Sequence, residues 1–250
     1  MYSSNQFINV KGIVSSYELL LKNNNSYSKN SSNFKENSKY DVFGTLKFDS
    51  SLPMAKINSD YTNYLTPRIS FRYSPNGNSD ISSKNILLDY NNVFSLNRIG
   101  ANHEVEGGES LSAGLEFKRE NIEGFKILDL KIANVLRFSE NRQLPSKSKL
   151  NKTRSDIFGN LDYNINEDFK IGYFFSYDRD LEYSNLEIIN FEYGVNNFFT
   201  NFSYYTEDND IGNKENIKNF SKYELDNENK ISFEMNKDLK DDFTQYYNLI

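Results

Sequence analysis

"DFKIGYFFSYD", residues 168–178, decides how this chain folds. In an extended backbone it places Phe169, Ile171, Tyr173, Phe175 and Tyr177 on one face and Lys170, Gly172, Phe174 and Ser176 on the other, because strand side chains alternate sides. An apolar face packed on protein and one bathed in lipid give the same alternation, so the neighbouring segments carry the decision.

The preceding segment, "DIFGNLDYNIN" (156–166), puts Ile157, Gly159, Leu161, Tyr163 and Ile165 on one face, and the tight Asn166-Glu167 turn joins it to 168–178 as a hairpin. "NLEIINFEYGV" (185–195) and "FFTNFSYYT" (198–206) meet at Asn196-Asn197, a pair that tolerates positive φ. "ESLSAGLEFKRE" (109–120) offers Leu111, Ala113, Leu115 and Phe117, and "FKILDLKIANVLRF" (125–138) offers Leu128, Leu130, Ile132, Leu136 and Phe138. "KISFEMNKDL" (230–239) and "FTQYYNLI" (243–250) end the series. No window sustains a capped helical stripe. About twelve strands are expected at this density of alternation.

The connections between them are unequal. Tight turns at 166–167 and 196–197 alternate with longer polar stretches at 139–155, 179–184 and 207–216. Short turns on one rim and longer loops on the other are the pattern of an outer-membrane barrel. Strand length agrees, since 157–165 and 169–177 match the roughly nine to eleven residues that cross a bilayer at a tilt. "NNNSYSKNSSNFKENS" (23–38) reads as a polar loop, and 76–108 is the least regular stretch, with apolar islands at 86–88 and 93–96.

Composition points the same way. Hydrophobic residues make up only 37% of the 250, a poor endowment for a soluble core, yet 18 Tyr and 20 Phe are far from the aromatic depletion of disordered chains. A polar average with abundant aromatics is expected of strands that show one face to lipid and the other to a wet lumen. A net charge of -6 argues against a nucleic-acid footprint. Cysteine is absent, which excludes a disulfide framework or thiolate metal site within this stretch. "MYSSNQFINVKG" lacks the form of a secretory signal, and "DDFTQYYNLI" stops inside a strand pattern, so the chain reads as a fragment.

Catalytic chemistry has little to work with. His103, the only histidine, lies in "GANHEVEGGES" with no nucleophile elbow nearby, and reads as a loop or rim residue. "EDNDIGNKEN" (207–216) misses the calcium-loop spacing and reads as a solvated loop. "EVEGGES" (104–110) lacks the Lys-Ser/Thr of a phosphate loop and reads as a turn with a mobile backbone. No catalytic residue, metal ligand or cofactor is expected. The hairpin instead assigns faces: Asp156, Asn160, Asp162, Asn164, Lys170 and Ser176 toward the lumen, and Ile157, Leu161, Tyr163, Phe169, Ile171, Tyr173 and Phe175 toward lipid. The polar set is equally compatible with the water side of an amphipathic sheet.

Three segments resemble the carboxy-terminal barrel region of the LptD (OstA) family: "YLTPRISFRYSP" (64–75), "NNVFSLNRIGANHEVEGGESLSAGLEF" (91–117) and "VLRFSENRQLPSKSKLNKTRSDIFGNLDYNINEDFKIGYFFSYD" (135–178). In the first, a strand begins after Leu65, Pro67 and Arg68. In the second, Phe94 and Arg98 introduce a strand that contains Gly114. The third carries Arg137, Glu140, Arg142 and Pro145 in a strand, an Arg-containing loop and a returning strand. The likeness runs with continuity over about 60–250, and over the first sixty residues by composition only.

The resemblance implies an all-β, antiparallel up-and-down transmembrane barrel, of which residues 1–250 form part of a single domain, with the periplasmic jelly-roll domain and the closing strands outside it. It implies a transporter rather than an enzyme: lipopolysaccharide arrives from a periplasmic Lpt bridge and leaves through a lateral gate into the outer leaflet, and an LptE-like lipoprotein plugs the lumen. Family residues carried over are Pro67, Arg68, Arg98 and Arg142. No gate residue and no cysteine role carries over. The alternatives are a porin-like channel, a surface β-sheet binding protein whose apolar face meets a second sheet, and, last, an enzyme on a barrel.

Overall fold

The computed structural model describes residues 1–30, 38–75, 80–84, 86–100, 105–208, 212–226 and 229–249. They form one sheet of fifteen strands. In chain order these are β1 (Tyr2–Ser3), β2 (Phe7–Ile8), β3 (Val14–Tyr27), β4 (Ser38–Ser51), β5 (Met54–Ile57), β6 (Tyr61–Ser74), β7 (Gly108–Asn121) and β8 (Lys126–Arg137). There follow β9 (Ile157–Asn164), β10 (Phe169–Tyr177), β11 (Ser184–Val195), β12 (Phe198–Asp208), β13 (Asn213–Glu224), β14 (Lys230–Asp238) and β15 (Phe243–Leu249). β1, β2 and β5 are fragments of two, two and four residues, which leaves twelve long strands. Long strands pair antiparallel with their neighbours in sequence, the up-and-down order, and among the described residues β15 does not pair back onto β3.

The hairpins form where their turn chemistry permits. Val195 faces Phe198 across Asn196-Asn197, with Asn196 at a φ of 50°, a conformation that Asn accepts more readily than most residues. In the β9–β10 turn the Asn166 Oδ1 accepts the amides of Asp168 and Phe169. Pro67 lies within β6 rather than ahead of it. Its carbonyl accepts the Leu52 amide where the neighbouring chain passes from β4 to β5, so the donor that proline lacks falls at a break in the ladder.

The register lines up side chains across the sheet. One row runs Leu65, Phe117, Leu130, Leu161, Tyr173, Ile189, Tyr204, Ile217 over eight consecutive strands. A second runs Tyr17, Phe48, Phe71, Leu111, Leu136. This bare face leaves Leu21, Val42, Leu46, Ile69 and Phe71 exposed, neighbouring apolar side chains of the kind that mark a contact surface.

The other face is covered in part. The described residues of the connections 75–107 and 138–156 fold back onto it, so that Leu88, Val93, Phe94 and Ile99 pack with Leu144 and Leu150 against Ala133, Val135 and Phe158. Phe94 lies edge-on to Tyr90 at 5.4 Å and sits on Gly114, where a Cβ would come within 2.6 Å of the ring.

Three expectations are corrected. The 139–155 stretch is not a free polar loop, since Leu144, Ser148 and Leu150 are buried. Within "EVEGGES", residues 105–110 are not a mobile turn, since Val105, Glu106 and Gly107 are buried and Gly108 opens β7; Glu104 lies outside the described residues. The polar stretches 23–38 and 207–216 are shorter as loops than their composition suggests, because β3 continues to Tyr27, β12 to Asp208, and β13 starts at Asn213. His103 lies outside the described residues.

One rim carries the long connections 75–107 and 138–156 together with 178–183 and 239–242, whereas the other is closed by 122–125, 165–168, 196–197 and 225–229 and by the segment carrying β5.

Candidate functional site

On the covered face the strands β4, β6, β7 and β8 line up Lys47, Arg72, Ser110 and Arg137, and one pair further along Asp49, Ser70, Ser112 and Val135. Onto this patch the 75–107 connection lowers Arg98 and Glu106, both nearly or wholly buried.

Glu106 is the hub. Its carboxylate accepts from Arg98 Nε at 2.6 Å, from the Arg98 terminal nitrogen and from Arg137, while Arg72 stands at 3.8 Å. Arg98 also donates to Ser112 at 3.0 Å and to Ser110 at 2.8 Å. Arg72 Nε donates to the Leu96 carbonyl at 3.1 Å, and Arg137 to the Gly107 carbonyl at 2.7 Å. Burial by itself would push the Glu106 carboxyl up, but the guanidiniums of Arg98, Arg72 and Arg137 hold it at about 2. Three cations around one anion leave the lattice positively charged, and the terminal nitrogens of Arg72 make no hydrogen bond.

A second polar group lies toward β3. Lys47 pairs with Glu18 at 2.7 Å and donates to the Phe94 carbonyl at 2.6 Å. Arg68 pairs side-on with Asp49 and stacks on the Phe94 ring at 4.3 Å. Both groups tie the 75–107 connection to the wall.

The remaining hairpin residues separate by depth. Asp156 is fully buried, accepts from Ser176 at 3.2 Å and lies 3.8 Å from Lys149; burial raises its carboxyl to about 6 against the pull of that lysine. Asn160 donates to Asp162 at 3.2 Å, and Asn164 to the Lys126 carbonyl at 2.6 Å. Lys170 is exposed. All six share the covered face, and Ile157, Leu161, Tyr163, Phe169, Ile171, Tyr173 and Phe175 share the bare one. Among the described residues no group of carboxylates and histidines is arranged to hold a metal ion.

The profile of the LptD family, described as LPS transport system D, matches residues 9–236. The chain belongs to the LptD family. Comparison with curated proteins gives no match. The LptD match takes in all of β3 to β13 and most of β14, so the likeness extends through the first sixty residues, where composition alone had suggested it. LptD proteins act in lipopolysaccharide transport and assembly at the outer membrane, with lipopolysaccharide and the partners of that pathway as their ligands.

Set in the LptD frame, the motif residues have distinct jobs. Arg98 is the core of the buried lattice, Arg68 clamps Asp49 and Phe94, Pro67 marks the β4–β5 break, and Arg142 is exposed on the 138–156 connection. Sequence reasoning missed Glu106 and Arg72. The available signal was the glycine pair 107–108 between Glu106 and Glu109; in the structure Gly108 takes a φ of 89° under the Arg137 guanidinium.

Proposed function

We propose that this chain is wall of a closed LptD barrel in which the bare face meets lipid and the covered face meets a wet interior that passes lipopolysaccharide to the outer leaflet. The observation that carries the reading is the apolar row from Leu65 to Ile217 across eight strands. In hydrocarbon every backbone group must be paired, which a closed antiparallel wall achieves. Release through a lateral opening between two strands follows the family mode: separating one pair exposes peptide groups, and that cost sets how readily the opening forms. An LptE-like lipoprotein plug belongs on the covered side, where Asn160, Asp162 and Lys170 offer polar contacts. The rim bearing 75–107 and 138–156 faces the cell exterior, as longer barrel loops do.

These 250 residues contain no cysteine, so an introduced one is read by comparison with the unsubstituted full-length protein. In the full-length protein in outer membrane, Lys170→Cys and Asp162→Cys should react with a water-soluble maleimide, and Leu161→Cys and Ile171→Cys should resist it. Equal labelling of both sets would favour a solvated β-sheet binding protein and sink the proposal.

A further inference from the structure

Between β3, β4, β6 and residues 91–97 the covered face bears an open cavity of about 730 Å³. Its lining is divided in chemistry. Leu20, Phe94 and Leu96 form an apolar shelf, and Lys22, Lys47 and Arg68 bring cations to it. Lys47 is neutralised by Glu18 and Arg68 by Asp49. Lys22 makes no ion pair among the described residues, and it projects from the same strand face as Leu20, two residues on. Among the described residues the cavity therefore carries one unpaired positive charge beside apolar surface. Neither a plain saccharide nor a bare acyl chain uses both features.

We propose that this cavity is a contact site for the phosphate-bearing end of an anionic glycolipid, with phosphate against Lys22 and the adjoining apolar portion on Leu20, Phe94 and Leu96. The inference rests on the transport reading and specifies where and by which chemistry the substrate is held. The 91–97 segment is fixed for this task from both sides: the Lys47 ammonium and the Arg72 Nε hold the carbonyls of Phe94 and Leu96.

The test places p-benzoyl-phenylalanine at Leu20, at Leu96 and, as a control elsewhere on the covered face, at Asp162, in the full-length protein in its outer membrane. Correct folding of each variant is checked by its heat-modifiable migration on gels. Irradiation should attach glycolipid at Leu20 and Leu96. Adding Lys22→Glu should cut the adduct there about fivefold, the change that ~1 kcal/mol of lost ion pairing gives, and leave the Asp162 adduct unchanged. Adducts at Asp162 with none at Leu20 or Leu96 would overturn the cavity and leave transport standing. Adducts at none of the three would remove the transport reading together with it. A protein adduct at Leu20 and Leu96 would overturn the proposal by assigning the cavity to a plug, and an adduct indifferent to Lys22→Glu would overturn the phosphate contact.

Discussion

Glu106→Gln removes one charge from the lattice between the 75–107 connection and the wall, and almost no volume. The wild-type carboxylate takes hydrogen bonds from Arg98 and Arg137 and faces Arg72 at 3.8 Å, with no solvent access. Gln offers one oxygen, and its amide nitrogen points donors at guanidinium donors. Breaking a buried ion pair from one side costs about 3–5 kcal/mol. The carboxyl gives an independent figure: held at about 2 against an ordinary 4.5, its charged form is stabilised by roughly 3 kcal/mol. The two routes agree, and we expect a loss of about 3 kcal/mol or more at pH 7.

The sign follows from the lowered carboxyl. Its stabilisation is complete above about 4.5 and is lost as pH falls through about 2, so the deficit is fully expressed at neutral pH. The assay is urea unfolding of the full-length protein in detergent micelles, read by heat-modifiable gel migration. Glu109→Gln, an exposed position three residues on, serves as control and should stay within about 0.5 kcal/mol of wild type. A Glu106→Gln protein as stable as that control would refute the lattice as the anchor of the 75–107 connection. Glu106→Gln combined with Arg98→Leu should recover part of the loss, because it also removes a buried cation left without its carboxylate.

Asp156 predicts the opposite pH slope. Its raised carboxyl contributes stability that is full below about 3.8 and lost as pH rises through about 6, so Asp156→Asn should flatten the wild-type decline over that window by roughly 3 kcal/mol at most, measured by unfolding at stepped pH. Leu161→Arg on the bare face should cost about 2–4 kcal/mol near the bilayer midplane, against a small effect for Lys170→Glu on the covered face, in the same unfolding assay; equal costs would contradict the facing. Gly159→Ala would bring a Cβ within 2.1 Å of the Lys131 carbonyl and 2.9 Å of the Phe175 ring, so it should lose several-fold in folded yield on gels, whereas Gly172→Ala, whose nearest neighbour is 3.4 Å away, should be near neutral.

What the chain disclosed in advance and what it withheld have different physical origins. The β10 strand from Phe169 to Tyr177 and the Asn196-Asn197 turn are written locally, in period-two alternation and in residues that accept the turn geometry. Such signals need no partner to be read. The boundaries of β3 and β12 ran past their apolar residues because backbone pairing with β4 and β13 holds polar side chains such as Asn24 and Glu207 in register. That pairing is long-range and has no local signature.

The site was hidden for a related reason. Glu106 sits among glycines and polar residues, the composition of a turn, and Arg72 occupies an unremarked even position in β6. Each looks solvated alone. Only the sheet register sets Arg72 next to Ser110 and Arg137, and only the return of the 75–107 connection brings Arg98 and Glu106 over them. The covered face therefore pairs opposite charges where the bare face stacks aromatics. This division fits a wall with two different solvents. On the bare face the apolar rows are interrupted at Glu187 and Glu215, and tyrosine hydroxyls of Tyr173, Tyr177 and Tyr204 meet those carboxylates, as a face proposed to meet lipid requires of any charge it carries. On the other side charges are tolerated if they are matched, and the surplus of guanidinium over carboxylate around Glu106, with Lys22 unpaired among the described residues, gives that side the sign that the proposed anionic cargo would need.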